Sequence, residues 1–368
     1  MKKYLLIIIS VLLILIPSRS LAYSKAGIVI EESSGRVLYE DNSDDILPMA
    51  STTKIMTAIT AIETGDLEST VKASEYAAST TGSKMHLRKG DELTLYDMIV
   101  ALLFVSANDG ATAIAEHISG DENTFAALMT EKARDIGCEN TAFSNAHGLD
   151  AEGHHTTAHD LAKIASYAIK NNVFYEIVSS QKKEITINGE KVMYYNKNQL
   201  RSLYEYGIGG KTGYTEDAGR CLVSFAEKDG MDLISVVLNS TDMYGDSIKL
   251  LKQAYEEYSL VKVASKNDII STLPIEKGYY DTYAVRFPYD VYAPLTNDEE
   301  KNATMQFLIP QSITAPVKTG DEIGRYALMS GEERILLGVL PAEYGIEKKD
   351  SIPELMRKII LMNISADF

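Results

Sequence analysis

Basic residues are in short supply in this chain. Against 52 Asp and Glu stand 36 Lys and Arg, a formal net charge of −16 over 368 residues. Such a surface gives no reason to expect nucleic-acid binding and favours solubility instead. Attraction to anionic lipid would have to come from a local feature. Cysteine is scarcer still, with Cys138 and Cys221 alone. An exported chain could join the two in a disulfide. Cys138 follows a helical stretch, however, and Cys221 sits in the apolar run Cys221-Leu222-Val223. Buried free thiols are common, so two free thiols are expected. Neither has a basic neighbour in sequence that would activate it. No complete metal motif is present either. His147, His154, His155 and His159 cluster near Asp150 and Asp160, and His155 and His159 have the spacing of paired helical ligands. But no His-Glu-x-x-His occurs, and His155 precedes the expected helix cap Thr157. No metal and no cofactor is expected. Internal repeats and low-complexity linkers are also missing.

What is there begins with a leader. Met1-Lys2-Lys3 is basic, Tyr4 to Ile16 is apolar apart from Ser10, and Pro17 ends the run. Ser20-Leu21-Ala22 supplies small residues where a signal peptidase reads, so residues 1–22 read as a cleaved signal peptide of an exported protein. The rival reading is a retained anchor. The run is short for a bilayer span, which needs about 20 residues.

The remainder is long enough for two domains on a prior of about 100–200 residues each. Ala26 to Glu32 and Arg36 to Glu40 read as a hairpin around Ser33-Ser34-Gly35. Helical periodicity follows over Ser51 to Thr64, Leu93 to Val105, Gly110 to Ile118, Asn123 to Ile136 and Thr157 to Lys170. The last opens on a capping box, Thr157-x-x-Asp160. Then the period changes. Lys183 to Tyr195, Lys211 to Thr215, Arg220 to Ala226 and Asp232 to Asn239 read as strands, and Tyr244 to Tyr258 as a helix. Strands at both ends with helices between predict an α+β domain over residues 23–262, an antiparallel sheet under a helical layer. Residues 263–350 read as a small all-β domain. The tail, residues 351–368, carries an apolar helical stripe from Ile352 to Ile364, with Pro353 in its first turn. It fits an amphipathic helix on a membrane surface. It also fits a helix docked on the β-domain.

Three short elements carry chemistry. Ser51 opens a helix, near free N–H groups and the positive dipole end, and Lys54 lies one turn on. A neutral lysine beside a serine can take its proton, if burial or a second cation lowers its pKa. Ser106-Ala107-Asn108 falls where an apolar helix breaks, so its polar side chains can face a cleft. Lys211-Thr212-Gly213 follows Gly207-Ile208-Gly209-Gly210 and opens a strand. Small residues there let a substrate backbone approach and pair like an added strand. Each element alone is ordinary: a helix cap with a surface lysine, a turn, a strand start. In this order behind a leader they form the trio of the β-lactamases and penicillin-binding proteins.

The chain resembles the low-molecular-weight penicillin-binding proteins, the serine-type D-alanyl-D-alanine carboxypeptidases of peptidase family S11. The segment Met49-Ala50-Ser51-Thr52-Thr53-Lys54-Ile55-Met56-Thr57-Ala58 is similar to that family's nucleophile segment, and Ser106-Ala107-Asn108-Asp109 to its second motif. Asn145-Ala146-His147-Gly148-Leu149, His155-Thr156-Thr157-Ala158 and Asp160-Leu161-Ala162 resemble the stretch between motifs. Lys211-Thr212-Gly213-Tyr214-Thr215, with Ala218-Gly219 and Cys221-Leu222-Val223, resembles the third. The resemblance implies a β-lactamase/transpeptidase-like catalytic domain and removal of the terminal D-alanine from peptidoglycan stem peptides. It implies Ser51 as nucleophile, Lys54 as general base, and Ser106 and Asn108 as proton relay and substrate holders. Lys211 would tune the cluster, Thr212 would bind the terminal carboxylate, and Gly213 and Tyr214 would line the substrate. The backbone N–H groups of Ser51 and Tyr214 would form the oxyanion hole. β-Lactams would be covalent inhibitors. Tyr214 stands where some members have His. Some members also place an arginine upstream of the third motif, and Lys197 and Arg201 are the candidates here.

Two rivals share these residues. A class A β-lactamase would need a Glu-x-x-Leu-Asn loop to activate the deacylating water. Nothing from Leu128 to Lys211 resembles one, and the C-terminal β-domain would be surplus. A non-catalytic penicillin-binding scaffold would have less reason to carry the complete set Ser51, Lys54, Ser106, Asn108 and Lys211.

Overall fold

A computed structural model describes residues 24–356. The leader 1–22 and residues 357–368 of the expected tail helix lie outside the described residues; residues 352–356 are helical. The chain divides into two compact units. Of the described residues, the first comprises 24–29, 39–226 and 234–251, the second 30–38, 227–233 and 252–356.

A five-stranded sheet organises the first unit. Its order is Val37–Asp41, Ser24–Glu31, Met231–Ser240, Gly219–Lys228, Gly207–Thr215. The last pair is antiparallel, with Lys211 opposite Val223 and Tyr214 opposite Arg220. Cys221 to Ala226 and Leu233 to Leu238 are buried without alternation. Continuous apolar runs of this kind mark strands covered on both faces. Both thiols are free and buried, as expected.

The helix Lys54–Thr64 is buried at every position from Lys54 to Ala61. A helix apolar on all sides belongs inside a layer rather than on it. Helices Leu95–Phe104, Asn108–Ser119, Glu122–Asp135 and Ala158–Ile169 surround it. Those four lie within a residue or two of the bounds the apolar periodicity predicts.

Three local readings differ from the structure. The α-helix begins at Lys54 rather than Ser51, because Ala50–Thr53 forms a 3-10 turn. The run read as one strand from Lys183 to Tyr195 is a hairpin, Lys182–Ile187 paired with Glu190–Tyr195. Its turn is Asn188-Gly189, both at positive φ (53° and 82°), the pair that two-residue hairpins prefer. The capping box at Thr157 is half formed. Thr157 accepts from the Asp160 N–H, but the Asp160 carboxylate turns to Asn140 N–H and the Thr141 hydroxyl.

The second unit is β-rich. Ile269–Glu276 pairs antiparallel with Thr282–Arg286, and Glu322–Ser330 antiparallel with both Thr304–Leu308 and Glu333–Pro341. Leu273, Tyr283, Phe287, Val291, Tyr326 and Leu340 form its core.

Candidate active site

Ser51 lies on the 3-10 turn. With three residues per turn, positions i and i+3 eclipse, so Ser51 and Lys54 stack on one line. Lys54 Nζ is 2.9 Å from Ser51 Oγ. Ala50, just before the serine, has φ 47°, and Ser106 has φ 62°. Left-handed backbone at residues other than glycine costs of order 1–3 kcal/mol, and it clusters at functional sites.

Lys54 is fully buried. Its amine contacts two further atoms, Asn108 Oδ1 at 2.7 Å and the His147 carbonyl. Both are oxygens that only accept. A neutral amine has two protons, so those two acceptors use both and leave its lone pair facing Ser51. Asn108 cannot turn away, because its amide nitrogen donates to Thr81 O at 2.7 Å. Burial pushes the Lys54 pKa well below the ordinary lysine value, the Lys211 cation pushes it further, and the Asp109 carboxylate partly opposes both. Desolvation of this kind disfavours the charged form, which is what a general base at neutral pH requires.

Lys211 is the second buried amine. It donates to Ser106 Oγ at 3.0 Å and to Thr212 O at 2.7 Å. Burial lowers its pKa to about 7, with Lys197 adding to the effect. A cleft of about 270 Å³ opens over Ser51, Ser106, Lys211, Thr212, Gly213 and Tyr214. The structure therefore gathers all eight sequence-predicted site residues, Lys54 and Asn108 beneath the serine and the other six around the cleft.

Sequence reasoning left Lys197 and Arg201 open and passed over Arg220. Lys197 lines the cleft. Arg201 lines a neighbouring cavity and donates to Ser179 O. Arg220 also lines the cleft, its guanidinium 5.8 Å from the centre of the Tyr214 ring. A strand-register reading would have found Arg220, since it stands opposite Tyr214. No residue lining the cleft is a carboxylate.

Gly213 lets the edge strand reach the serine. A Cβ there would meet Ser51 N at 2.9 Å, Ala50 Cβ at 3.0 Å and Met49 O at 3.1 Å. Gly213→Ala must push the strand off the nucleophile turn. A displacement near 1 Å can cost about 100-fold in rate, and we expect a loss of that order in labelled-penicillin incorporation. Incorporation at the native rate would show that the close approach is not needed.

Among the described residues no three His, Cys, Asp or Glu side chains are placed to hold a metal ion. Two of the histidines are buried in hydrogen-bond networks instead. His154 accepts from Ser144 N–H at Nδ1 and meets Thr53 Oγ1 at 2.8 Å through Nε2. Burial lowers its pKa to about 4, and that of His147 to about 3. His159 sits half-exposed beside Asp44.

A serine and a buried lysine on one turn, faced by a Ser-x-Asn turn and a Lys-Thr-Gly edge strand, define the serine–lysine acyl-enzyme class. Within it, the chain belongs to the peptidase S11 family, the D-alanyl-D-alanine carboxypeptidases, whose model matches residues 17–242. Residues 258–340 match the C-terminal domain of penicillin-binding protein 5. The chain is 30% identical over 344 residues to the D-alanyl-D-alanine carboxypeptidase DacF of Bacillus subtilis, covering 91% of this chain and 88% of that one. Penicillin-binding protein 5 of Haemophilus influenzae superposes with a TM-score of 0.77 at 25% identity, over 89% of this chain and 98% of that one. A DD-transpeptidase from Streptomyces, solved as a mutant, gives 0.61 at 28% identity, over 64% and 98%.

Proposed function

We propose that this protein removes the terminal D-alanine from peptidoglycan stem peptides through an acyl-enzyme on Ser51. The observation that carries the mechanism is the buried Lys54 amine, whose two fixed acceptors leave the third direction to Ser51. Ser51 Oγ gives its proton to Lys54 and attacks the carbonyl between the two D-alanines. The backbone N–H groups of Ser51 and Tyr214 receive the oxyanion, aimed at charge that develops only in the transition state. Ser106, held by Lys211, passes the proton to the departing amine of D-alanine. Asn108 fixes the Lys54 amine from beneath through Oδ1, and Thr212 with Lys211 binds the terminal carboxylate. Lys197 is the added cation for that carboxylate, since it shares the cleft with Ser51 and Arg201 does not. Water then attacks the ester, with Lys54 again as base.

β-Lactams follow the same acylation. The cleft lining offers no carboxylate to activate water on the penicilloyl ester, so the adduct persists rather than turning over as in a class A β-lactamase. The likeness to a transpeptidase concerns the acceptor: an amine that reached the acyl-enzyme in place of water would give transfer.

The protein acts outside the cytoplasm in this reading, with residues 1–22 as signal peptide, 23–262 catalytic, 263–350 a β-domain and 351–368 a helix on the outer membrane leaflet. Among the described residues no helix is long and apolar enough to cross a membrane. Purified protein incubated with a pentapeptide ending in D-alanyl-D-alanine tests the activity. We expect stoichiometric loss of D-alanine from the peptide, and labelled penicillin mapped by mass spectrometry to the Ser51 peptide. Penicillin on Ser51 without D-alanine release would leave the scaffold reading; rapid penicillin turnover would leave the lactamase.

A further inference from the structure

We propose that Glu122 is a positioning residue for the lysine base, acting through His147. This rests on Lys54 as the base of acylation.

The chain of contacts is short and buried. Glu122, the first residue of helix Glu122–Asp135, sets its carboxylate 3.3 Å from His147 Nε2 and accepts from the Ala146 N–H at 3.3 Å. His147 Nδ1 accepts from the Leu149 N–H at 3.1 Å, which places the ring proton on Nε2, the atom 3.3 Å from the Glu122 carboxylate. One carboxylate oxygen thus accepts from residue 146 and lies against the ring of residue 147. The carbonyl between residues 147 and 148 is the one that accepts from Lys54.

The turn has no freedom of its own to replace those contacts. Gly148 sits at φ 86°, and a Cβ there would meet Ala50 O at 2.0 Å. Asn145 closes the loop with bonds to Gly148 N and Leu149 O. The turn therefore lies flat on the carbonyl that precedes the nucleophile. Its outer side is fixed by Glu122, which Tyr76 from helix Glu75–Ser79 and Thr112 from helix Asn108–Ser119 hold in turn. Burial raises the Glu122 pKa, bonds from Ala146, Tyr76 and Thr112 lower it, and Glu116 nearby raises it. Lys54 for its part faces Lys211 and Asp109. Glu122 does not figure among the charges that set the lysine, so its influence is geometric.

Losing the His147 carbonyl has a signed consequence. A carbonyl accepting from an ammonium favours the protonated form. Without it the Lys54 pKa falls further, while the lone pair is no longer aimed at Ser51. In Glu122→Ala we expect acylation by labelled penicillin to slow about tenfold at its optimum, as a misplaced base would. The acidic limb of its pH profile should move to lower pH. Rates are normalised to titratable Ser51, so a smaller folded fraction changes neither quantity. Glu122→Gln keeps an oxygen for His147 Nε2 and Ala146 N and should restore most of the rate. If Glu122→Ala does not fold, His147→Ala carries the test with the same expected shift of the limb. A slow variant whose limb stays put, or Glu122→Gln as impaired as Glu122→Ala, overturns the proposal. Wild type that never acylates Ser51 would instead sink the acyl-enzyme reading beneath it.

Discussion

Lys54→Met is expected to slow acylation of Ser51 by about 10²–10⁴-fold, the range general-base removal commonly costs. Methionine keeps an unbranched chain only one atom shorter and removes the titratable group, so the loss reports the amine. It also leaves Asn108 Oδ1 and the His147 carbonyl without their donor. The measurement is the second-order rate of labelled-penicillin capture, with Ser51→Ala as the variant that captures none. Capture within a few-fold of native would mean that another group takes the serine proton.

The same substitution should raise stability at neutral pH. The folded pKa of Lys54 is depressed below its unfolded value. Between the two values the unfolded chain binds the extra proton, so stability rises with pH across that window. The penalty is full below the folded pKa and fades as pH climbs toward 10.5. An apolar side chain carries no such penalty, and that gain stands against the two acceptors left without a donor, about 1–3 kcal/mol each. A lower melting temperature for Lys54→Met at pH 7 would contradict this. The folded state would then gain more from the three contacts of the amine than it loses by desolvating it.

Lys211→Met has the second large effect, and its signature is a shift of opposite sign to that of Glu122→Ala. Lys211 lowers the Lys54 pKa by charge repulsion. Removing it lets the Lys54 pKa rise, so more of the base is protonated at neutral pH and the acidic limb of acylation moves to higher pH. Activity should fall most near neutrality and recover in part at alkaline pH. Some of the loss will not recover, because Lys211 also donates to Ser106 Oγ and lines the cleft. A limb unmoved in Lys211→Met would show that the second cation does not tune the first.

Much of the site was legible because its motifs are local. Ser51 and Lys54 share one turn, Ser106 and Asn108 flank one helix break, and Lys211 to Tyr214 are consecutive on one strand. The core helices were legible for a similar reason, since each carries its apolar period within itself. Two errors came from local competition. Asn188-Gly189 turned a run of strand formers into a hairpin. Asp160 spent its carboxylate on Asn140 and Thr141 rather than on its own helix cap. In each case a stretch compatible with two structures was decided by one turn or one distant partner.

By itself, then, the sequence determined the candidate nucleophile, the two candidate-site lysines, the order of the motifs and the α+β class, because each depends on neighbours within a turn or a strand. Only the tertiary structure decided which way the Lys54 lone pair points. That direction is set by Asn108 and by a backbone carbonyl at residue 147, and a backbone carbonyl has no signature in sequence. Burial decided the rest. Burial depresses the pKa of both amines because segments far apart in the chain close over them, and Lys197 and Arg201 line two different cavities.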